Sequence, residues 1–299
     1  MIVTVVGLGA VGGFYGGHLA HSGHHLRAVV RRGAEAIASA GLHVHSDHDW
    51  QWMVPCDASL DASAWRANAV ADVLLIANKT TANQAVAPLL PALVGPQTQV
   101  VVLQNGLGVE QDFADVVPAG RLHAGLCFIC ANQEKPGVVR HQDYGQIMLA
   151  PTVAAGEENC ERVAALFRDC PFPVKRAADA NEARWRKLVW NVPFNGLSVI
   201  LQQDTGEILA SSRDRVRTLM REVQAIAAAD GVVIEDRFVA TMETNTDAMT
   251  PYAPSMLLDY RAGRPLELDA IYDRPLKIAV QHSVPTPAID ALRASLAAL

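Results

Sequence analysis

Met1–Val6 (MIVTVV) is a short, β-branched apolar run that passes at once into Gly7-Leu8-Gly9-Ala10-Val11-Gly12, and a helical pattern follows from Ala10 to Ser22. No other stretch constrains the fold as much. A strand with apolar residues on both faces belongs in a parallel sheet covered on each side by helices. Three glycines in this spacing, between such a strand and a helix, form the turn that receives a dinucleotide. The first permits the tight turn, the second lets a pyrophosphate approach the backbone, and the third lets helix and strand pack closely. The helix start adds unpaired N–H groups and a partial positive charge. Cofactor contacts are therefore expected along Gly7, Leu8, Gly9, Ala10, Val11 and Gly12.

His25–Val30 reads as the second strand, and it ends in Arg31-Arg32-Gly33 with no acid in place to bond a ribose 2′-hydroxyl. A guanidinium there suits a 2′-phosphate, so the expected cofactor is NADP. Ala71–Ala77 and Gln99–Leu103 read as further buried strands, followed by Asn78-Lys79-Thr80 and by Gln104-Asn105-Gly106. Lys79 and Asn105 then lie at C-terminal strand ends, where open α/β sheets hold ligands. Asn83–Leu93 reads as a helix. Short strands are expected over Leu122–Ala131, Gly137–His141 and Gly145–Ala150, then a helix over Glu157–Cys170 and a closing strand over Phe172–Lys175. His43, His45 and His48 (HVHSDHD) read as a polar strand end and turn rather than a metal site.

After Arg176 strand patterns stop. The expected architecture is an N-terminal Rossmann-type, doubly wound α/β domain over residues 1–176, followed by an all-helical domain over 177–299. In the second, Trp185–Asn195 (WRKLVWNVPFN) places Lys187, Asn191 and Asn195 four residues apart on one helix face. An ammonium and two carboxamides in line make a poor core stripe and a good lining for an oxygen-rich small molecule. Pro193 between the asparagines is expected to kink the axis. A helix starting at Ser211 or Ser212, with apolar residues from Val216 to Ala227, ends before Gly231; helices over Glu235–Thr244, Glu267–His282 and Pro287–Leu299 complete the domain.

Composition removes several classes of function. Net charge is −6 with no basic block, which disfavours nucleic-acid binding. No apolar run approaches the ~18 residues of a membrane span. Five cysteines, an odd count, suit reduced thiols in a cytoplasmic protein. Cys127 and Cys130 read as core residues.

Taken together, these residues resemble the 2-dehydropantoate 2-reductase (ketopantoate reductase) family along essentially the whole chain. The resemblance runs through the glycine turn, Arg31, Lys79, Gln104-Asn105-Gly106, WRKL with Asn191 and Asn195, Ser255-Met256 with Asp259, Glu267-Leu268-Asp269 and Val284-Pro285-Thr286-Pro287. It implies NADPH-dependent reduction of a small 2-keto acid, ketopantoate first. It further implies Lys187 as general acid with Glu267 beside it, and Asn105, Asn191, Asn195 and Ser255 as substrate contacts. Asn105 would also lie near the nicotinamide, and Arg31 and Lys79 would serve the adenosine end of the cofactor. A homodimer is admitted but not required. The chain departs from the family pattern at Pro193 and Gly196, at Leu258, and at Ile271-Tyr272-Asp273-Arg274-Pro275, where Ile-Asn-Gly is usual. The Tyr272–Pro275 change motivates an alternative, a reductase of another carbonyl or imine. A non-catalytic NADP-binding regulator is the alternative from another class.

Overall fold

A computed structural model of the chain describes residues 1–65 and 70–299. Two compact units emerge: Met1–Gln104 with Val109–Ala180, and Asn105–Gly108 with Asn181–Leu299.

In the first unit β1 (Ile2–Val6) leads into α1 (Ala10–His21), and β2 (His25–Val29) into α2 (Ala34–Ala40). Then come β3 (Leu42–Ser46), β4 (Trp50–Val54), β5 (Asp57–Ser59), β6 (Val73–Ile76), α3 (Asn83–Val86) and β7 (Gln99–Val102). The unit closes with β8 (Leu122–Lys135), β9 (Val138–Pro151), α4 (Glu157–Phe167) and β10 (Val174–Arg176). The strands form one sheet in the order β4-β3-β9-β8-β7-β6-β1-β2-β5, with β10 also paired to β9. From β5 across to β8 every neighbour is parallel. This is the expected doubly wound arrangement, and the strand order reverses between β1 and β6, where such sheets open a ligand crevice. The pairs β8–β9 and β3–β4 are antiparallel and make the sheet mixed.

Two local expectations change. The short strands over 122–150 are one long hairpin with register shifts. Tyr144 (φ 63°) and Gly145 (φ 127°) locally disturb β9 without ending it. The helix expected over Asn83–Leu93 closes after Val86 and continues as 3₁₀ turns over Ala87–Ala92, because Pro88 and Pro91 cannot donate helical bonds. His43 and His45 do lie on a strand end, followed by a turn, but β4 and β5 carried no clear pattern in the sequence.

Buried Val3, Val5, Phe14, Tyr15, Leu19, Leu26, Val101, Leu149 and Phe167 belong to the core of this unit. His18 is buried there as well, its ring set against Phe14, Trp50, Trp52 and Phe172. All five cysteines are buried and unbridged.

The second unit is helical: α5 (Ala180–Leu201), α6 (Thr205–Ala229), α7 (Asp236–Ala248), α8 (Ser255–Arg261), α9 (Arg274–Gln281) and α10 (Pro287–Ala297). A π turn, Asp269–Asp273, precedes α9. The start expected at Ser211 or Ser212 is instead a kink. Asp204 and Glu207 form a capping box at the true start of α6, and Ser212 (φ −142°, ψ 25°) is the non-helical residue inside it. The apolar stripe Val216, Leu219, Met220, Val223, Ile226 and Ala227 is buried as its spacing requires. Glu222 accepts from the Ala288 and Ile289 N–H groups at 2.9 and 2.8 Å, capping α10 from α6. Among the described residues no helix is long and apolar enough to cross a membrane.

Candidate active site

In the first unit the three glycines of the turn do three different things. Gly7 has φ +90°, and a Cβ there would lie 2.6 Å from the Asn78 nitrogen at the end of β6, so the turn sits at the point where strand order reverses. A Cβ at Gly12 would lie 2.3 Å from the Gly7 oxygen and 2.8 Å from Val5, so α1 packs on β1 only because that carbon is missing. A Cβ at Gly9, the N-cap of α1, would meet nothing within 4 Å among the described residues. Open space at the helix start, with no side chain capping it, is what a pyrophosphate requires. The residues present thus fit a dinucleotide. Gln133 Nε2 donates to the Leu8 oxygen at 2.7 Å and steadies the turn from the β8–β9 hairpin.

Arg31 and Arg32 are exposed at the bend after β2, and no carboxylate lies between Val30 and Ala34. Lys79 follows β6, half-buried. Beneath it lies a carboxamide network that the sequence did not announce. Asn78 Nδ2 donates to the Lys79 oxygen (2.9 Å) and to Asn83 Oδ1 (3.0 Å). Gln104 Nε2 donates to the Asn78 oxygen and to Asn83 Oδ1, both at 2.7 Å, while Asn83 Nδ2 donates to Gln104 Oε1 and Asp112. The ends of β6 and β7 are locked together by side chains that resemble ordinary loop residues. Their position just past two buried strands was the available signal.

In the second unit α5 is helical without interruption from Ala180 to Leu201, Pro193 included. Asn191 and Asn195 are buried, Lys187 is half-buried, and their spacing keeps them on one face. The Asn191 side-chain nitrogen is buried and has no hydrogen-bond partner among the described residues. Glu267 is 5% exposed and immediately precedes the helical run that contains the π turn. Ser255 opens α8 with an exposed side chain.

The stretch Ile271–Pro275 is packed inward. Tyr272 is fully buried, and its hydroxyl donates to the Val192 oxygen of α5 at 2.9 Å. Burial raises its pKa far above the usual tyrosine value. A Cβ at Gly196 would come within 2.5 Å of that hydroxyl, so the two departures from the expected pattern, Gly196 and Tyr272, accommodate each other. Gly106 (φ +108°) lies against Ala270, and the Leu107 N–H donates to the Ala270 oxygen at 2.8 Å. The Asn105 segment, the π turn and the Lys187 helix are thus tied together within one unit.

Comparison with known proteins agrees over the full length. Residues 3–153 match the family model described as ketopantoate reductase PanE/ApbA, and residues 179–299 match that of its C-terminal part. The chain belongs to the ketopantoate reductase family. It is 37% identical to a 2-dehydropantoate 2-reductase of Nostoc sp., over 97% of this chain and 92% of that protein. The crystal structure of 2-dehydropantoate 2-reductase from Geobacter metallireducens superposes with TM-score 0.94 at 37% identity, covering 100% of this chain and 99% of the other. That from Methylococcus capsulatus gives 0.90 at 30% identity, covering 100% and 96%. As a ketopantoate reductase family member the protein is an NAD(P)-dependent oxidoreductase.

Proposed function

We propose that this protein reduces ketopantoate to pantoate with NADPH, a step toward pantothenate, and that Lys187 is the proton donor. The observation that carries the reading is the Asn191 amide nitrogen, buried and without a partner among the described residues, one helical turn from Lys187. A buried donor of this kind is rare in a finished core and calls for a ligand acceptor. A 2-keto acid offers carboxylate and carbonyl oxygens.

Gly7–Gly12 would hold the pyrophosphate, Arg31 the 2′-phosphate, and Lys79 the adenosine side. When bound, the dihydronicotinamide supplies hydride to the carbonyl carbon. The Lys187 ammonium, placed at the carbonyl oxygen, neutralises the negative charge that develops there and gives up its proton, which leaves an alcohol. Asn191, Asn195, Ser255 and Asn105 would orient the substrate, and Glu267 would hold the ammonium toward it. Tyr272, enclosed in the core with its hydroxyl already bonded, gives no support to a different substrate class.

The test is a steady-state assay on ketopantoate and a panel of other 2-keto acids and imines, with NADPH and NADH. NADPH oxidation highest with ketopantoate is expected. Cofactor binding without turnover on any member would leave the regulatory reading standing. Lys187→Ala should lower kcat by about 10²–10⁴; a wild-type rate in that variant removes Lys187 as the acid.

A further inference from the structure

The helical run after Glu267 contains a carbonyl that its own helix cannot satisfy. In the π turn Asp269–Asp273 the Arg274 N–H reaches back five residues to the Asp269 oxygen, one further than in an α-helix. It therefore does not bond Ala270. The next residue in line is Pro275, which has no N–H. The Ala270 oxygen accepts instead from the Leu107 N–H at 2.8 Å. Only glycine at position 106 allows this approach, because a Cβ there would lie 2.4 Å from the Ala270 Cβ and 2.7 Å from its oxygen. Arg274 then closes the arrangement with its side chain. Nη1 donates to the Gly108 oxygen at 2.7 Å and to the Leu107 oxygen at 3.2 Å, while Nε is held by Asp269 Oδ2 at 2.8 Å.

We infer that Arg274 is a positioning residue for the reaction, acting by fixing the segment Asn105–Gly108 so that the Asn105 carboxamide is presented in one place. The inference rests on the reading of Asn105 as a contact to substrate and nicotinamide. Asn105 is followed, across Gly106, by two residues, Leu107 and Gly108, whose backbone groups are held by the π turn and the guanidinium. Pro275 exposes the anchoring carbonyl, Gly106 lets the segment reach it, and Arg274 grips two carbonyls beyond it. A planar guanidinium braced by a carboxylate is suited to hold two neighbouring carbonyls, which a single ammonium does less well.

Two measurements on the full-length protein test this. Hydrogen exchange should become about tenfold faster across residues 105–110 in Arg274→Ala, with α6 and α10 unchanged. Unchanged exchange across 105–110 overturns the inference. Where Arg274→Ala loosens the whole unit, Arg274→Lys serves as the milder variant, with the same local change expected at smaller size; exchange raised evenly in both also overturns it. The second measurement is a cycle with Asn105→Ala. Arg274→Ala should lower kcat/KM for the best 2-keto acid about 10- to 100-fold, as misplacement of an orienting group does. Arg274→Lys should recover part of that loss, and Arg274→Ala should change the rate less than about twofold once Asn105 is absent. An equal loss in both backgrounds assigns Arg274 a merely structural role and overturns the inference. A wild-type protein inactive on every 2-keto acid instead overturns the reading on which it rests, whatever exchange shows.

Discussion

A side-chain amide nitrogen buried without a partner destabilises a folded chain by about 1–3 kcal/mol, and Asn191 carries that burden. Asn191→Leu, close in volume and apolar, should therefore leave the ligand-free protein as stable as wild type or up to about 1–3 kcal/mol more stable, while kcat/KM collapses. Urea midpoints and steady-state rates measured on the same preparations check it; a large loss of stability would mean that Asn191 is needed for packing. At the cofactor end, Arg31→Ala should raise KM for NADPH about 10- to 100-fold, as the loss of a charge-assisted bond does, and leave KM for NADH nearly unchanged. Equal effects on the two would place the 2′-phosphate elsewhere. Residues of this kind are legible in the sequence because their chemistry is local: glycine spacing, a cation where an acid would stand, polar groups four apart on a helix. Arg274 stands out there only as a departure from pattern. Its partners, the Leu107 and Gly108 oxygens, lie more than 160 residues away in the chain, and no local pattern encodes them.

Among the elements, α5 shows how a proline can be carried within a helix beside close packing from another segment. The Tyr272 hydroxyl donates to the Val192 oxygen, immediately before Pro193, in space that Gly196 leaves open. Gly196→Ala should destabilise the protein by about 1–3 kcal/mol despite alanine's better helix propensity, because the new carbon would sit 2.5 Å from the Tyr272 hydroxyl and 2.7 Å from Leu292. The penalty should shrink in a Tyr272→Phe background, a coupling that denaturant titration of the four proteins measures directly. Additive penalties would show that the hydroxyl is not what the added methyl group meets. Periodicity announced α1, α5 and the buried stripe of α6, since each has one face or all faces apolar. The true start of α6, the unbroken β9 and the edge strands β4 and β5 were not legible. Their boundaries depend on tertiary partners, and a chain can cross a kink or a bulge without any change in composition.

At the scale of the whole molecule, the aromatic cluster around His18 makes stability sensitive to acid. Burial, and then the nearby His141 and His21, hold the His18 pKa down to about 3; burial, and then Arg176, hold that of His123 down to about 4. In the unfolded chain both take up a proton below about pH 6.5. The unfolded state therefore binds more protons between that pH and the folded values, and stability rises with pH across this interval. Stability contributed by the neutral rings is complete above about pH 6.5 and is lost as pH falls toward the folded values of about 4 and about 3. His18→Leu should reduce the stability lost between about pH 7 and about pH 5 by up to about 2 kcal/mol, as read from urea midpoints at the two values. An identical loss in the variant would exclude His18 as a contributor. The change from an alternating α/β pattern to a helical one was plain from the end of strand patterns after Arg176, but the assignment of residues 105–108 to the helical unit was not, because it rests on contacts with Ala270 and Arg274.

That short excursion bears on how the polypeptide could be divided. A gene cut after Ala180 would yield an N-terminal fragment whose Leu107 amide has lost its acceptor, and a C-terminal fragment in which the Ala270 oxygen has lost that donor and Arg274 Nη1 the Leu107 and Gly108 carbonyls. The two products would not be self-sufficient modules. The first would carry a short stretch without the surface that receives it, and the second that surface without the stretch, so co-expressed halves should recover native structure more fully than either half made alone.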